Sequence, residues 1–347
     1  MTISRQILAP AFCMVIILFL SCLKSEVLAA IKTNFQESYH EYEKFSSLKS
    51  YLRKKGKSKN KIPNCRPTKN NLCISKGAGG HTTIFSTVDG FCAKKISTFN
   101  KIKEIEFYED MESICRKNRQ EFDDFCSFIP QFGGLCAHEK GLYTKIDNLK
   151  LNSVLKKPMK EPWALDLKLG THTASATSMK RHQLPSSFID IPIWKFIHFL
   201  QDRYLTSSQK EGYRFAGLSK NQGVHERAYS RRERLTFLSA PQTVIHRFLD
   251  QSKMPKTSQC FYDKLLRLKQ AFSKDSIEHL HLVGSSLLFV YDHNSADLNY
   301  ACQLNLIDFA NSFYAKDIDK HFARKNQKYL KGIRKGIKNL ITAFRKN

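Results

Sequence analysis

The chain has 347 residues and a formal net charge of +26, from 57 Lys and Arg against 31 Asp and Glu. Its 41% hydrophobic content is ordinary for a globular protein and excludes a fully disordered one. Its length allows one large domain or two lobes. The charge disfavours cationic partners and favours polyanions: nucleic acid, acidic lipid, heparin-like sugars or small multiply phosphorylated ligands. A solvated basic surface without a specific partner is the alternative.

The N-terminus has the pattern of a targeting segment. Arg5 precedes an apolar run from Ala9 to Leu20, and small residues follow up to Ala29. The run is too short to span a bilayer, so the pattern predicts a secretory signal over residues 1–29. We expect the secretory pathway or secretion, and the cytoplasm or nucleus if the leader does not function.

Eight cysteines lie beyond this leader. An even number in a secreted chain permits disulfides, and buried free thiols are the alternative. None has the C-x-x-C spacing of a metal site. They are Cys65, Cys73, Cys92, Cys115, Cys126, Cys136, Cys260 and Cys302.

Residues 30–76 are polar and rich in Lys, which predicts a basic, poorly ordered arm. From residue 77 the pattern tightens. Two short strands joined by an Asp89-Gly90 turn are expected over 81–95. A helix follows over 100–117, because apolar residues recur there at a spacing of three.

The segment Trp163 to Leu169, WALDLKL, alternates between apolar residues on one face and Ala164, Asp166 and Lys168 on the other. It therefore predicts a strand that presents an acid and a base side by side.

The rest of the chain predicts further helices and two buried strands. A helical insert is expected over 188–204, and amphipathic helices over 241–250 and 260–272. The strands are expected at 285–292 and 305–312. A basic amphipathic helix ends the chain; we expect it to be docked with a wet basic face, and membrane contact is the alternative.

Phosphoryl transfer needs a Lys on the ATP phosphates, acids that hold Mg²⁺ and a positioned acceptor. The chain offers these groups in a suitable order. Lys94 lies on the second hairpin strand, Asp166 and Lys168 share a strand face, and Asp308 follows a hydrophobic strand. Each signal alone is more typical of a surface charge or a turn residue.

At these residues the chain resembles a known family. EPWALDLKLG at 161–170 resembles the P-x-x-x-D-x-K-x-G signature of the inositol polyphosphate kinases. The resemblance runs from about residue 77 to the end, some three quarters of the chain. Further landmarks in family order are GAGGH at 77–81, CAKK at 92–95, EIEFYEDM at 104–111, FIPQFGG at 128–134, GYRFAGL at 212–218, SSLLFVYD at 285–292, LIDFA at 306–310 and GIKNLI at 336–341.

The resemblance implies a role for each matching residue. Lys94 would bind ATP phosphates, Asp308 would ligate Mg²⁺, and Lys168 would contact the substrate and the transferring group. Asp166 would act as a base or orient the acceptor, which an acid can do if its pKa is held low by Lys168 and the metal. The hinge that holds adenosine would contain Asp147 and Asn148; candidate substrate contacts are Lys180, Arg181 and Arg214.

The chain departs from the family at three positions. His172 stands where Arg is frequent, Asn311 where His is usual, and Asn148 where a second acid holds the ribose. We expect altered affinity rather than loss of activity.

The substrate branch is indicated by Asp292, which follows the Tyr of SSLLFVYD, and by the Ala/Ser-rich segment with Lys180 and Arg181. Both resemble the inositol hexakisphosphate kinases, which make diphosphoinositol phosphates. The alternatives are a multikinase-like activity or a catalytically degenerate, secreted polyanion-binding protein.

The implied fold is α+β, with two kinase-like lobes, antiparallel sheets and an ATP cleft between the lobes. We expect an N-terminal ATP-binding lobe over 77–150 and a catalytic and substrate lobe over 151–347. ATP and Mg²⁺ would be the cofactors. We expect a monomer without a transmembrane span and without a specific nucleic-acid partner, because no nucleic-acid motif is present.

Overall fold

The computed structural model describes most of the chain beyond residue 61. Contacts group the chain into two units, residues 1–57 and 58–347, and the second contains both sheets. The predicted leader, Asn148, His172, Lys180, Arg181 and the insert over 188–204 lie outside the described residues. Described are residues 51–53, 56, 62–68, 73, 84–96, 99–117, 119–139, 141–147, 149, 159–171, 207–220, 231–249, 254–293, 302–315 and 320–345.

The second unit contains both helices and strands. The helices are α1 Phe99–Lys117, α2 Arg119–Cys126, α3 Ser208–Glu211, α4 Arg231–Ser239, α5 Gln242–Phe248, α6 Met254–Ala271 and α7 Lys320–Arg345, with a 3₁₀ helix at Asp275–His279. The strands are β1 Ile84–Ser86, β2 Phe91–Lys95, β3 Phe132–His138, β4 Gly141–Asp147, β5 Pro162–Leu169, β6 Tyr213–Ser219, β7 Leu280–His281, β8 Ser286–Asp292, β9 Cys302–Ile307 and β10 Phe313–Tyr314.

The first sheet has the strand order β1-β2-β4-β3, and every neighbouring pair is antiparallel. The predicted hairpin is confirmed. Gly90 adopts a φ of 84° in its turn, which a side-chain-bearing residue rarely does. The sheet therefore holds Lys94 near the end of its second strand.

Part of the predicted arm packs on this sheet. Cys65 donates its backbone N–H to Ala137 and forms a disulfide with Cys136, and Cys73 forms a disulfide with Cys92. The prediction of a poorly ordered arm is therefore wrong for residues 62–68 and for Cys73. Cross-links and backbone hydrogen bonds, neither of which composition reveals, hold them to the sheet.

The second sheet has the order β6-β5-β8-β9 and is again antiparallel throughout. Its strand β5 confirms the predicted alternation. Trp163, Leu165 and Leu167 belong to the main core, whereas Ala164 packs in a separate cluster on the other face. Asp166 and Lys168 are thereby on the face away from the main core.

Helices α6 and α7 cover the core face of this sheet. They run antiparallel, because Ser258 contacts the Phe344 carbonyl and Arg334 contacts the Phe272 carbonyl. A disulfide joins Cys260 of α6 to Cys302 of β9. The predicted helices over 241–250, 260–272 and at the C-terminus are confirmed, with the last beginning earlier, at Lys320.

These elements confirm an α+β fold with antiparallel sheets. The fourth disulfide, Cys115–Cys126, joins α1 to α2, so all eight cysteines beyond the leader are paired. The alternative of buried free thiols is wrong. Within the described part of the chain, no helix has the length and apolar character needed to cross a membrane.

Candidate active site

Lys94 joins the first sheet to helix α1. Its Nζ lies 3.0 and 3.1 Å from the two carboxylate oxygens of Glu104, and only 10% of the lysine side chain is exposed. Such a buried, two-pronged contact fixes the ammonium group in one position. The group also lies 3.6 Å from Oδ1 of Asp308, so it bridges two acids.

Glu104 is a site residue that the sequence analysis did not assign. It begins the EIEFYEDM segment of α1 and is almost fully buried. The available signal was an acid ten residues after Lys94 at the start of an E-x-x-F-Y motif. Its partner depends on how α1 packs on the sheet, which the motif alone does not reveal.

Asp308 directly follows β9 in a left-handed conformation, with a φ of 63°. That conformation is unusual for an aspartate and persists only where the surroundings enforce it. The surroundings here are aromatic. The ring of Phe309 stacks on Phe107 at 4.3 Å and meets Tyr108 edge-on at 5.4 Å. Helix α1 thus holds Glu104 against Lys94 and also holds the residue after Asp308.

Lys168 reaches Asp308 from the second sheet. Its Nζ lies 2.5 Å from Oδ2 of Asp308 and donates to the Gly284 carbonyl at 3.1 Å. Asp308 therefore has an ammonium group beside each of its oxygens. Because the carboxylate remains about one third exposed, ligands can still reach it.

Asp166 lies beside this pair but is buried, with 3% of the residue exposed. Burial raises its pKa to about 7; Lys168 lowers the pKa and Asp308 raises it further. Lys168 alone does not keep this pKa low, because removal from water outweighs the attraction of one lysine. Its Oδ1 accepts no hydrogen bond from the described residues.

Arg214 extends the cationic side of the site. In the sheet register it is paired with Lys168 across β5 and β6, so both side chains leave the same face. Its charge lowers the pKa of Asp166, although burial dominates. The structure thus brings Asp166, Lys168, Arg214, Lys94 and Asp308 into one cluster.

Asp147 does not join this cluster. It ends β4 opposite Phe91, whereas Lys94 pairs with Thr144, so strand alternation places Asp147 on the sheet face opposite to Lys94. Asn311 is in the turn after β9. Asn148, Lys180 and Arg181 lie outside the described residues.

Asp292 has a structural role. Its carboxylate accepts the backbone N–H groups of Lys160 and Glu161, at 2.9 and 3.0 Å. These bonds fix the chain where it enters β5. Asp292 therefore supports the strand that carries Asp166 and Lys168 from its far end.

The cluster has the groups that phosphoryl transfer requires. Lys94 can neutralise phosphate oxygens, Asp308 offers hard oxygen ligands to a divalent cation, and Lys168 with Arg214 can hold an anionic acceptor. Catalysis by such a site depends on positioning and electrostatic stabilisation rather than on covalent steps.

A family model described as inositol polyphosphate kinase matches residues 149–345. The matched segment contains Asp166, Lys168, Arg214 and Asp308, whereas Lys94 and Glu104 precede it. Fold, site and match define the class of the protein, a kinase for small phosphorylated molecules.

The chain belongs to the inositol polyphosphate kinase family. Among solved structures, it is similar to the inositol phosphate multikinase Ipk2 from S. cerevisiae, in complex with ADP and Mn²⁺. The TM-score is 0.43 and the identity 16%, over 71% of this chain and 95% of that chain, a likeness too distant to support an argument about the site. No curated protein matches the chain.

Proposed function

We propose that the protein transfers the γ-phosphoryl group of ATP, with Mg²⁺, to inositol hexakisphosphate or a similarly phosphorylated inositol, giving diphosphoinositol phosphates. The observation that carries the proposal is the contact of Asp308 with both Lys94 and Lys168, which come from different sheets. A donor on the Lys94 side and an acceptor on the Lys168 side would meet at this carboxylate.

The nucleotide would lie against Lys94. Glu104 positions the lysine, as an acid does for the phosphate-binding lysine of protein kinases. The adenosine would contact the hinge at Asp147 and Asn148. Because the side chain of Asp147 leaves the face opposite to Lys94, its contribution would come from the backbone.

Asp308 would hold Mg²⁺. In nucleotide sites this ion takes one or two carboxylates and completes its shell with phosphates and water. Asp308 fits that pattern, because it is a single carboxylate about one third exposed. When bound, the ion would neutralise charge on the phosphates. Lys168 is then free to leave Asp308 for the substrate.

The acceptor would be held by Lys168 and Arg214, with Lys180 and Arg181 as further proposed contacts. A fully phosphorylated inositol suits these cationic side chains and the +26 net charge of the chain. Asp166 would orient the acceptor oxygen. A phosphate acceptor carries no hydroxyl proton, so the proposed transfer needs no base to remove one.

We further propose that the protein acts in the secretory pathway or outside the cell. The paired cysteines support this, because stable disulfides are typical of oxidising compartments. Tagging the intact chain and following N-terminal processing would test it; a retained leader in the cytosol would contradict it.

The proposed activity is tested by incubating the pure protein with ATP and Mg²⁺ and a panel of inositol phosphates, then separating the products. We expect a diphosphorylated product from inositol hexakisphosphate. Phosphorylation of free hydroxyls on less phosphorylated inositols alone would establish the multikinase-like alternative. No product from any acceptor, together with no thermal stabilisation by ATP and Mg²⁺, would establish the degenerate polyanion-binding protein.

A further inference from the structure

The exposed face of helix α7 carries a row of cations. It consists of Arg324, Lys328, Lys331, Lys335 and Lys338, which we call the basic stripe, and each is exposed. The spacing alternates between four and three residues, which puts all five within a narrow arc of the helix. The stripe is straight and about 21 Å long, since each residue rises 1.5 Å.

Carboxylates do not balance this row. Helix α7 contains no Asp or Glu along its length. Lys335 donates to the Gln209 carbonyl at 2.9 Å, but no salt bridge with a described residue involves the side chains of Arg324, Lys328, Lys331 or Lys338. On the packed helix α3, Glu211 is 13% exposed and accepts from Asn339.

The other faces of α7 are occupied by the protein itself. Ile333, Ile337 and Leu340 are buried in the main core. Gly332 and Gly336 lie so close to Thr171 and to the Gly212 backbone that a Cβ on either would be within 2.4 Å of them. The helix therefore cannot turn its apolar side outward, and the basic stripe lies on the face that a partner can reach.

We infer that the basic stripe binds a linear sulfated polysaccharide. A single file of cations roughly one helical turn apart matches a linear polyanion better than it matches a broad anionic surface. Among the α7 side chains that the structure describes, no exposed one is aromatic, so the stripe itself has nothing on which nucleic-acid bases could stack. It also offers no apolar side chain for insertion between lipids.

The disulfides favour the same partner. Four disulfides are typical of a protein from an oxidising compartment. Nucleic acids are rare there, and sulfated polysaccharides are common linear polyanions. The anionic lipids that attract basic helices are concentrated in the cytoplasmic leaflet instead. The inference rests on α7 and the cysteines, and it stands whether or not the kinase transfers phosphate to inositol hexakisphosphate.

The test measures binding of a fluorescent heparin oligosaccharide to the full chain by polarisation at several salt concentrations. The stripe variant is K328Q/K331Q/K338Q, and the matched control K95Q/K117Q/K160Q removes the same charge from exposed lysines outside α7. We expect the stripe variant to bind about 100-fold more weakly, from roughly fivefold per lysine, with a shallower salt dependence. The control should lose less than about fivefold. Circular dichroism and thermal unfolding establish that both variants are folded.

Equal losses in the two variants would overturn the inference, because binding would then follow net charge alone. Desulfated heparin should not compete with the labelled oligosaccharide; if it competes fully, sulfate recognition is excluded. Phosphatidylserine vesicles or single-stranded RNA that bind as tightly as heparin at the same salt, and lose binding in the stripe variant, would also overturn the choice of partner.

Discussion

At the scale of single residues, the site is a set of charges whose partners come from distant parts of the chain. Asp308 has a left-handed backbone conformation and contacts Lys94 and Lys168, which belong to different sheets. Each of these residues alone is a weak signal in the sequence. Their contact in the structure is what identifies them as one site. The predictions at this scale therefore change one charge while preserving its shape.

Glu104→Gln should weaken the use of ATP without unfolding the protein. The amide keeps the size of the side chain but loses the charge that fixes Lys94 at 3.0 Å. We expect at least a tenfold loss of kcat/KM for ATP, the size of effect that misplacement of a charged group causes. Steady-state kinetics measure it, with Glu112→Gln, an acid on the same helix that pairs with Arg116, as the control. Unchanged kinetics in Glu104→Gln would show that Lys94 does not need this partner.

Asp166→Asn should change how stability depends on pH. The raised pKa means that the folded protein binds a proton that the unfolded chain has released between about pH 4 and 7. This contribution to stability is fully present below the ordinary aspartate pKa and is lost as the pH rises towards 7. The variant lacks it, so its stability relative to the natural protein should rise by on the order of 1 kcal/mol per pH unit over that range.

Urea unfolding at pH 5 and pH 8 measures this difference. Asp263→Asn, at an exposed aspartate on α6, is the matched control. A stability difference for Asp166→Asn that does not vary with pH would contradict the raised pKa.

The site residues could be predicted from sequence only where a motif marks them. Lys94, Asp166, Lys168 and Asp308 came from the family resemblance, and the structure brings them together, while their catalytic roles stay predictions. The pKa of Asp166 could not be predicted, because burial in the finished sheet decides it. Glu104 was missed for the same reason, since its partner depends on packing.

At the scale of elements, the hydrophobic pattern around a motif predicts the strand or helix that carries it. The alternation of β5 predicted both its face towards the core and its polar face, and both are found. Register is different, because it depends on neighbouring strands: that Arg214 pairs with Lys168 could not be predicted from either strand alone. Another such feature is the contact between α7 and the Gly212 backbone, which is so close that only Gly fits at position 336.

Gly336→Ala should destabilise the fold through that contact. The new Cβ would lie 2.2 Å from the Gly212 carbonyl oxygen, which is backbone and cannot move aside cheaply. We expect a loss of about 2 to 3 kcal/mol in the free energy of unfolding, typical of overpacking. Thr342→Ala on the exposed face of α7 is the control and should change stability by less than about 0.5 kcal/mol. Equal stabilities of the two variants would mean that α7 can shift away from α3 and β6.

At the scale of the whole molecule, two of the disulfides join segments that lie 71 and 42 residues apart in sequence. The even number of cysteines beyond the leader is visible in the sequence. Their pairing could not be predicted, because eight cysteines permit 105 arrangements. The arm prediction failed at residues 62–68 for the same reason. Composition indicated a polar segment, whereas the Cys65–Cys136 cross-link and its backbone hydrogen bonds attach it to the first sheet.

Removing disulfides should cost stability according to the loops they close. The Cys65–Cys136 bond spans 71 residues and the Cys115–Cys126 bond spans 11. Chain-entropy arguments give losses of about 4 kcal/mol for the first and about 3 kcal/mol for the second. Urea unfolding of the two double Cys→Ser variants measures both. A smaller loss for the Cys65–Cys136 variant would show that residues 62–68 contribute little to the folded state.

The most direct test of the account is the rate of phosphoryl transfer from radiolabelled ATP to inositol hexakisphosphate by the natural protein, Asp308→Asn and Lys168→Met. Lys117→Met, an exposed lysine at the end of α1, serves as the matched control. We predict transfer by the natural protein and by the control, and a loss of at least about 100-fold in Asp308→Asn and in Lys168→Met. Transfer at the natural rate in both site variants would contradict the account.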